Sequence, residues 1–275
     1  MGWQAAIDLG FAADGGTTHL SRRAHRGPLV VQRPFRPEGP EVCHVYLLHP
    51  PGGLVGGDEL TVDVAVDAGA HALVTTPAAG KIYRTNGAGV RQTQRLRVAA
   101  AGTLEWLPQE AIVYDGARAT LETRVDLARD ARFIGIDAVC FGLPARRAPF
   151  ERGLCRQLFE LHRDGRPLLI ERGHYDAGDG VMSARWGLGG ASVLGFLVAS
   201  PAPDAAAVAS VRALAAAAAG GDLAAVTVVG DGDALVARHL GGDAERARTF
   251  LHDAWRLVRP TLLGRAAVPP RVWAT

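Results

Sequence analysis

Apolar and polar residues alternate with a period of two through the first two-thirds of the chain, which confines that region to β-structure. In LTVDVAVD, Leu60, Val62, Val64 and Val66 share one face, while Asp63 and Asp67 take the other. In ATLETRVDL, Ala119, Leu121, Thr123, Val125 and Leu127 alternate with Thr120, Glu122, Arg124 and Asp126. The same reasoning predicts strands over 29–32, 43–48, 71–76, 90–98, 132–141, 154–162, 166–172, 192–199 and 223–229. Three stretches also echo one another: VDAGAHALVTTP (66–77), VAAAGTLEWLP (98–108) and LARDARFIGID (127–137). Each joins a strand end to a small or polar turn and a new apolar strand. Recurrence of that kind predicts stacked coils or a wound sheet.

Helix enters late. PDAAAVASVRALAAAAAGG offers Asp204 as its N-cap and Gly220–Gly221 as its stop. GGDAERARTFLHDAWRLVRP offers Asp243 as cap and a stripe of Phe250, Leu251, Ala254, Trp255 and Val258, with an end expected before Pro260. No low-complexity linker precedes this part. The expected fold is mainly β, a wound β-helix-like sheet structure with a small number of α-helices in the C-terminal third. It forms a single domain over residues 1–275, β-rich over 1–200 and helix-containing over 201–275. A chain of 275 residues is long enough to bury a substantial core.

Composition narrows the function. The formal net charge is +2 and no basic run occurs, which argues against nucleic acid or an anionic membrane as the main partner. One lysine, Lys81, stands against 29 arginines. The three cysteines lack a CxxC spacing and fit a reducing compartment. MGWQAAIDLGF has neither the basic nor the apolar segment of a signal peptide, and no apolar stretch is long enough to span a bilayer. A soluble cytoplasmic protein is expected.

Catalytic signatures fail one by one. AAGKIYRT resembles the end of a phosphate-binding loop, but Thr75 and Ile82 occupy the positions that require glycine and a hydroxyl residue. Leu194 breaks a nucleophile elbow around Ser192. Residues 230–239 lack the calcium-loop ladder, and no HExxH or Cys/His quartet occurs. Asp58, Glu59, Glu105 and Glu110 could supply a carboxylate pair for glycoside chemistry, given a fixed separation beside a cleft.

One strand carries a conflict. In RFIGIDAVCFG, Phe133, Val139 and Phe141 share a face with Asp137, while Ile134, Ile136 and Cys140 form the other. A strand apolar on both faces is normally buried, and an isolated carboxylate there is costly. Asp137 therefore either pairs with an arginine or lines an internal polar passage. Glu171, on a face with Leu169, and Gln92 and Gln94, in phase with Val90, Leu96 and Val98, fit the same theme.

The stretches GWQAAIDLGF, GPLVVQRPFRPEG, CHVYLLHPPGGLVGGDEL, TLEWLPQEAIVYDGA, PLLIERGHY and WRLVRPTLLG…PPRVWAT resemble the urease accessory protein UreD (UreH) family over essentially the whole chain. That resemblance implies a scaffold and chaperone without turnover. Its partners would be apo-urease, the helical protein UreF and, through UreF, the GTPase UreG, with neither nucleic acid nor membrane involved. It also implies a β-rich wound fold and a hydrated internal route for Ni2+. Carried over by position, the polar residues of that route match Asp58, Asp137 and Glu171, as transient metal contacts. No catalytic residue and no tightly bound cofactor are expected, only transient Ni2+. The chain departs from the family pattern at Leu143, Ala148 and Gly80. The alternatives are a β-solenoid carbohydrate-active hydrolase using paired carboxylates, or an oligomerising binding module.

Overall fold

The architecture comes from a computed structural model that describes residues 2–218 and 220–274. The chain opens with an antiparallel pair, β1 (Gln4–Asp14) and β2 (Thr17–Arg26), then a two-residue strand, β3 (Val30–Val31). The strands β4 (Val42–Leu48), β5 (Glu59–Val66), β6 (His71–Thr75), β7 (Gly80–Ile82), β8 (Val90–Val98), β9 (Thr103–Leu107), β10 (Ala111–Val113), β11 (Ala117–Leu127) and β12 (Arg132–Phe141) then wind as coils. A long hairpin, β13 (Gly153–Arg163) and β14 (Arg166–Asp176), closes the winding. There follow β15 (Val193–Ser200), helix α1 (Ala205–Ala216), β16 (Leu223–Val229), β17 (Ala234–Gly241) and helix α2 (Ala244–Leu263).

Successive coils place equivalent strands side by side in parallel. β5, β8 and β11 form one wall, β6, β9 and β12 a second, and β7, β10 and the end of β12 a third. The echoing turns stack on each other: the Ala99 amide donates to the Val66 carbonyl at 2.9 Å, Ala128 to Val98 at 2.9 Å, and Arg132 to Gly102 at 2.9 Å. The coil-like winding expected from the sequence is thus present. The first sheet runs β14-β13-β11-β8-β5-β1-β2, and the second follows β16-β17-β15-β12-β9-β6-β4-β3.

The alternating apolar residues fill the space between the sheets, Val62, Val64, Leu96 and Val125 meeting Val74, Trp106, Phe133 and Val198. The far side of the second sheet is also apolar. There Ile134, Ile136, Leu197 and Leu235 pack under α1 and α2, using the predicted stripe Phe250, Leu251, Ala254, Trp255 and Val258. The two faces of β12 expected from its sequence therefore belong to two different cores.

Several boundaries differ from expectation. β1 and β2 were not anticipated: β1 buries Ala5, Ile7, Leu9 and Phe11, but Ala6, Gly10 and Ala12 among its other positions blur the alternation, and β2 is a polar edge strand. β17 is buried on both faces between β15 and β16, so it shows no alternation. α1 ends at Ala216, ahead of the glycine pair. α2 continues one turn past Pro260 and stops at Gly264, where φ is 68°. Proline so near the end removes a single helical hydrogen bond; the final turn keeps the bond from the Gly264 amide to the Pro260 carbonyl at 2.9 Å, and side-chain contacts tie this end of the helix to the sheet.

Those contacts centre on two side chains with 0% exposure, Glu105 of β9 and Arg259 of α2. Arg259 Nε lies 2.8 Å from Glu105 Oε2, and Nη2 lies 3.0 Å from Oε1. Trp255 Nε1 donates to the same carboxylate at 2.7 Å, and His71 Nε2 lies 2.8 Å away. Arg259 also reaches Glu38 at 2.7 Å and the Ala266 carbonyl, while His44 Nε2 lies 2.7 Å from Glu38. Burial alone would raise the Glu105 carboxyl, but the His71 and Arg259 interactions outweigh it and hold the group at about 2.

A value below the ordinary one means that this carboxylate stabilises the fold above the unfolded pKa of about 4.3 and ceases to do so as pH falls toward its folded value. Glu105→Gln is expected to lower the unfolding free energy at pH 7 by about 3–5 kcal/mol, because Arg259 then stays buried beside a neutral amide. Urea titrations at several pH values check this: the deficit should shrink steadily below pH 4.

Candidate functional site

The glycine-rich loop after β4 has a conformational and a steric reason for its composition. Gly52 and Gly57 have φ of 78° and 91°, a region unfavourable for side chains. Gly53 and Gly56 pack so closely that an added Cβ would stand 2.3 Å from the Tyr83 ring and 2.9 Å from the Ala88 carbonyl. Asp58 closes the loop. One oxygen accepts from the Trp3 amide and the other from the Val55 amide, both at 2.8 Å. No phosphate cradle results. The loop instead presents His49, Gly52, Gly53 and Leu54 to a partly open cavity of about 230 Å³.

That cavity lies at a corner of the winding, against the connections from Thr76 to Ile82 and from Pro108 to Ala111. β12 explains why space opens there. It pairs with β9 from Arg132 to Gly135 and with β10 from Val139 to Phe141, leaving Ile136, Asp137 and Ala138 bonded only on the β15 side. Gln92, Gln94 and Thr123 face the cavity from the first sheet, as the phase of β8 predicts, and Thr123 Oγ1 donates to Gln94 Oε1 at 3.0 Å. The volume accommodates several waters, and the lining offers them polar partners.

Asp137 reaches this cavity and has no arginine partner. Its Oδ1 accepts from Gln157 Nε2 at 2.9 Å. Burial pushes its carboxyl up to about 6, the Gln157 hydrogen bond offsetting part of the rise. Gln157 belongs to β13 in the opposite sheet and lines a second cavity, of about 290 Å³. Glu171 lines that second cavity, where it is bonded to Arg238 of β17. Burial also pushes Cys155 and Tyr175 up to about 12, so neither contributes charge at neutral pH.

The three acids carried over by position therefore occupy three settings. Asp137 reaches the first cavity, Glu171 the second, and Asp58 stands behind the loop that walls the first, holding backbone amides. Among the described residues, three potential metal ligands come within 4.8 Å of one another only at His174, Asp176 and Asp179, near the exposed end of β14. Of the four carboxylates named for the paired-carboxylate alternative, Glu105 is engaged by Arg259, Trp255 and His71 and Asp58 by two amides, while Glu110 lines the first cavity. The departures at Leu143 and Ala148 bond to each other through backbone alone, and a Cβ at Gly80 would meet open space.

Gln157 was not singled out from the sequence, although it breaks the apolar phase of Cys155, Phe159 and Leu161 much as Asp137 breaks that of β12. No helix among the described residues is long and apolar enough to cross a membrane.

Comparison with known proteins bears on this geometry. The profile of the family described as UreD urease accessory protein matches residues 4–274. Among curated relatives, the urease accessory protein UreD of an Azoarcus species is 46% identical, the match covering all of this chain and 95% of the relative. The proteins of the same name from Dechloromonas aromatica and Pseudomonas aeruginosa are each 44% identical, covering 99% of this chain and 95% of the relative.

The folded pKa of Asp137 lies above that of a free aspartate, so ionisation costs stability. The cost is absent below about pH 4, grows between pH 4 and 6, and is constant above. Asp137→Asn is expected to stabilise the protein at pH 8 by on the order of 2–3 kcal/mol, with no gain at pH 4. Thermal melting at both pH values checks it.

Proposed function

The chain belongs to the UreD urease accessory protein family, and on that premise we propose that it joins apo-urease to UreF, and through UreF to UreG, while offering Ni2+ a hydrated route toward the urease active site. It turns over no substrate of its own in this reading; nickel is cargo. The observation that carries the proposal is Asp137, a carboxylate that has an amide for a partner instead of a cation and stands between two mainly apolar cavities, among the few polar groups that line them.

The chemistry suits transit. A carboxylate without a counter-ion in a low-dielectric interior attracts a dication strongly enough to draw it in. One carboxylate and one amide oxygen form a sparse, hard donor set, to which nickel binds far less tightly than to imidazole or thiolate clusters. A cation so held moves on. Gln92, Gln94 and Thr123 can hydrogen-bond the water that accompanies it through the first cavity. Glu171 supplies the next oxygen ligand in the second, once Arg238 releases it. Asp58 acts at one remove, by fixing the glycine loop that walls the first cavity.

The experiment is co-expression of this chain with apo-urease, UreF and UreG, followed by metal analysis of the purified urease. Asp137→Ala is expected to leave the complex intact on affinity purification and to lower the nickel content of urease severalfold. Full nickel occupancy with Asp137→Ala would overturn the proposal, whereas loss of the complex would assign Asp137 to docking instead.

A further inference from the structure

A hydrogen bond links the linings of the two cavities. Asp137 lines the first and Gln157 the second, and the 2.9 Å contact between them spans the gap from the second sheet to the first. Phe159 and Phe196, ring centroids 5.1 Å apart, close the neighbouring position between the sheets with apolar surface. The polar point in this part of the partition is the Asp137–Gln157 pair.

We propose that Gln157 is the gate between the two cavities: its side chain shuts the partition by donating to Asp137 and opens it when a divalent cation takes the carboxylate over. This deepens the passage reading and rests on it. The amide is suited to the task because its two ends have opposite polarity. With Asp137 unoccupied, Nε2 donates to the carboxylate and keeps the wall closed. A cation arriving from the first cavity competes for the same oxygen. The hydrogen bond then gives way, and rotation of the amide presents Oε1, an oxygen ligand of the kind that hard cations accept. Gly173, directly opposite Gln157 on β14, has no side chain of its own, and the Tyr175 ring lies across it, so the amide turns against the flat side of a ring that also lines the second cavity. Glu171, two residues along the same strand, is the acceptor beyond.

Two substitutions separate a gate from a packing role. Gln157→Leu and Gln157→Ala both remove the hydrogen bond to Asp137, so any difference between them reads the space left behind. Leucine fills the partition with apolar volume, and alanine leaves a gap that water can enter. The test is the initial rate of nickel loading onto urease in the complete complex with UreF and UreG, alongside the melting temperature of each variant complex.

Gln157→Leu is expected to slow loading roughly tenfold, since a dication then meets a desolvated plug. Gln157→Ala should load at or above the wild-type rate despite melting lower than Gln157→Leu, an order opposite to that of stability. Equal losses in both variants would overturn the gate, because the hydrogen bond itself would then be what matters. Normal loading in both, with Asp137→Ala defective, would overturn the gate and leave the passage standing. Normal loading in Asp137→Ala as well would remove both. Should Gln157→Leu not assemble, Gln157→Met takes its place with the same expectation.

Discussion

The contact between Glu105 and Arg259 sets the relation of the layers. Two opposite charges without solvent access repay their desolvation only when nearly every donor and acceptor is engaged. Here the Glu105 carboxylate meets Arg259, Trp255 and His71, and the guanidinium continues to Glu38 and the Ala266 carbonyl. One point thus joins α2, the strands β6 and β9, the segment carrying Glu38 and the chain beyond α2. The second sheet owes its cover to this arrangement, since α2 lies over Ile134 and Ile136. Those residues immediately precede Asp137 on β12, so the helix anchored at Glu105 also backs the part of the strand that leads to this acid.

β12 shows how a coiled sheet can host a polar interior. Its faces serve two apolar cores, which on burial alone leaves no place for a carboxylate. The place is found at a corner, where the strand has left β9 and not yet joined β10. There the wall thins and polar residues from the first sheet can face it. The group still sits at an energetic disadvantage, as its raised pKa records.

Much of this was legible in the chain. The spans 90–98, 132–141 and 223–229 coincide with β8, β12 and β16, because uninterrupted alternation or apolar runs bounded by turns define strands sharply. The echoing turns predicted stacking, and hydrogen bonds between them confirm it. The inward phase of Gln92 and Gln94 was also readable. The partner of Glu105 was not, since it lies 154 residues away and nothing local distinguishes Arg259 from the other arginines. Asp58 was assigned to the route by its position in the family pattern, and its two backbone amide partners could not be read from the sequence. The amide facing Asp137 could have been found by the test that found Asp137, a polar residue out of keeping with its phase.

The hairpins at either end of the parallel run have a consequence for assembly. A solenoid left open presents its last coil as a template on which another coil can grow. Here β1 and β2 terminate the first sheet on one side and β13 and β14 on the other, each by reversing direction. The outermost strand β2 further carries Arg22, Arg23 and Arg26. Copies are thereby discouraged from polymerising end to end, and the number of turns is fixed at synthesis. The molecule thus has a set number of coils, and with it a set spacing between the cavity that Asp137 lines and the open cleft that Gln157 lines.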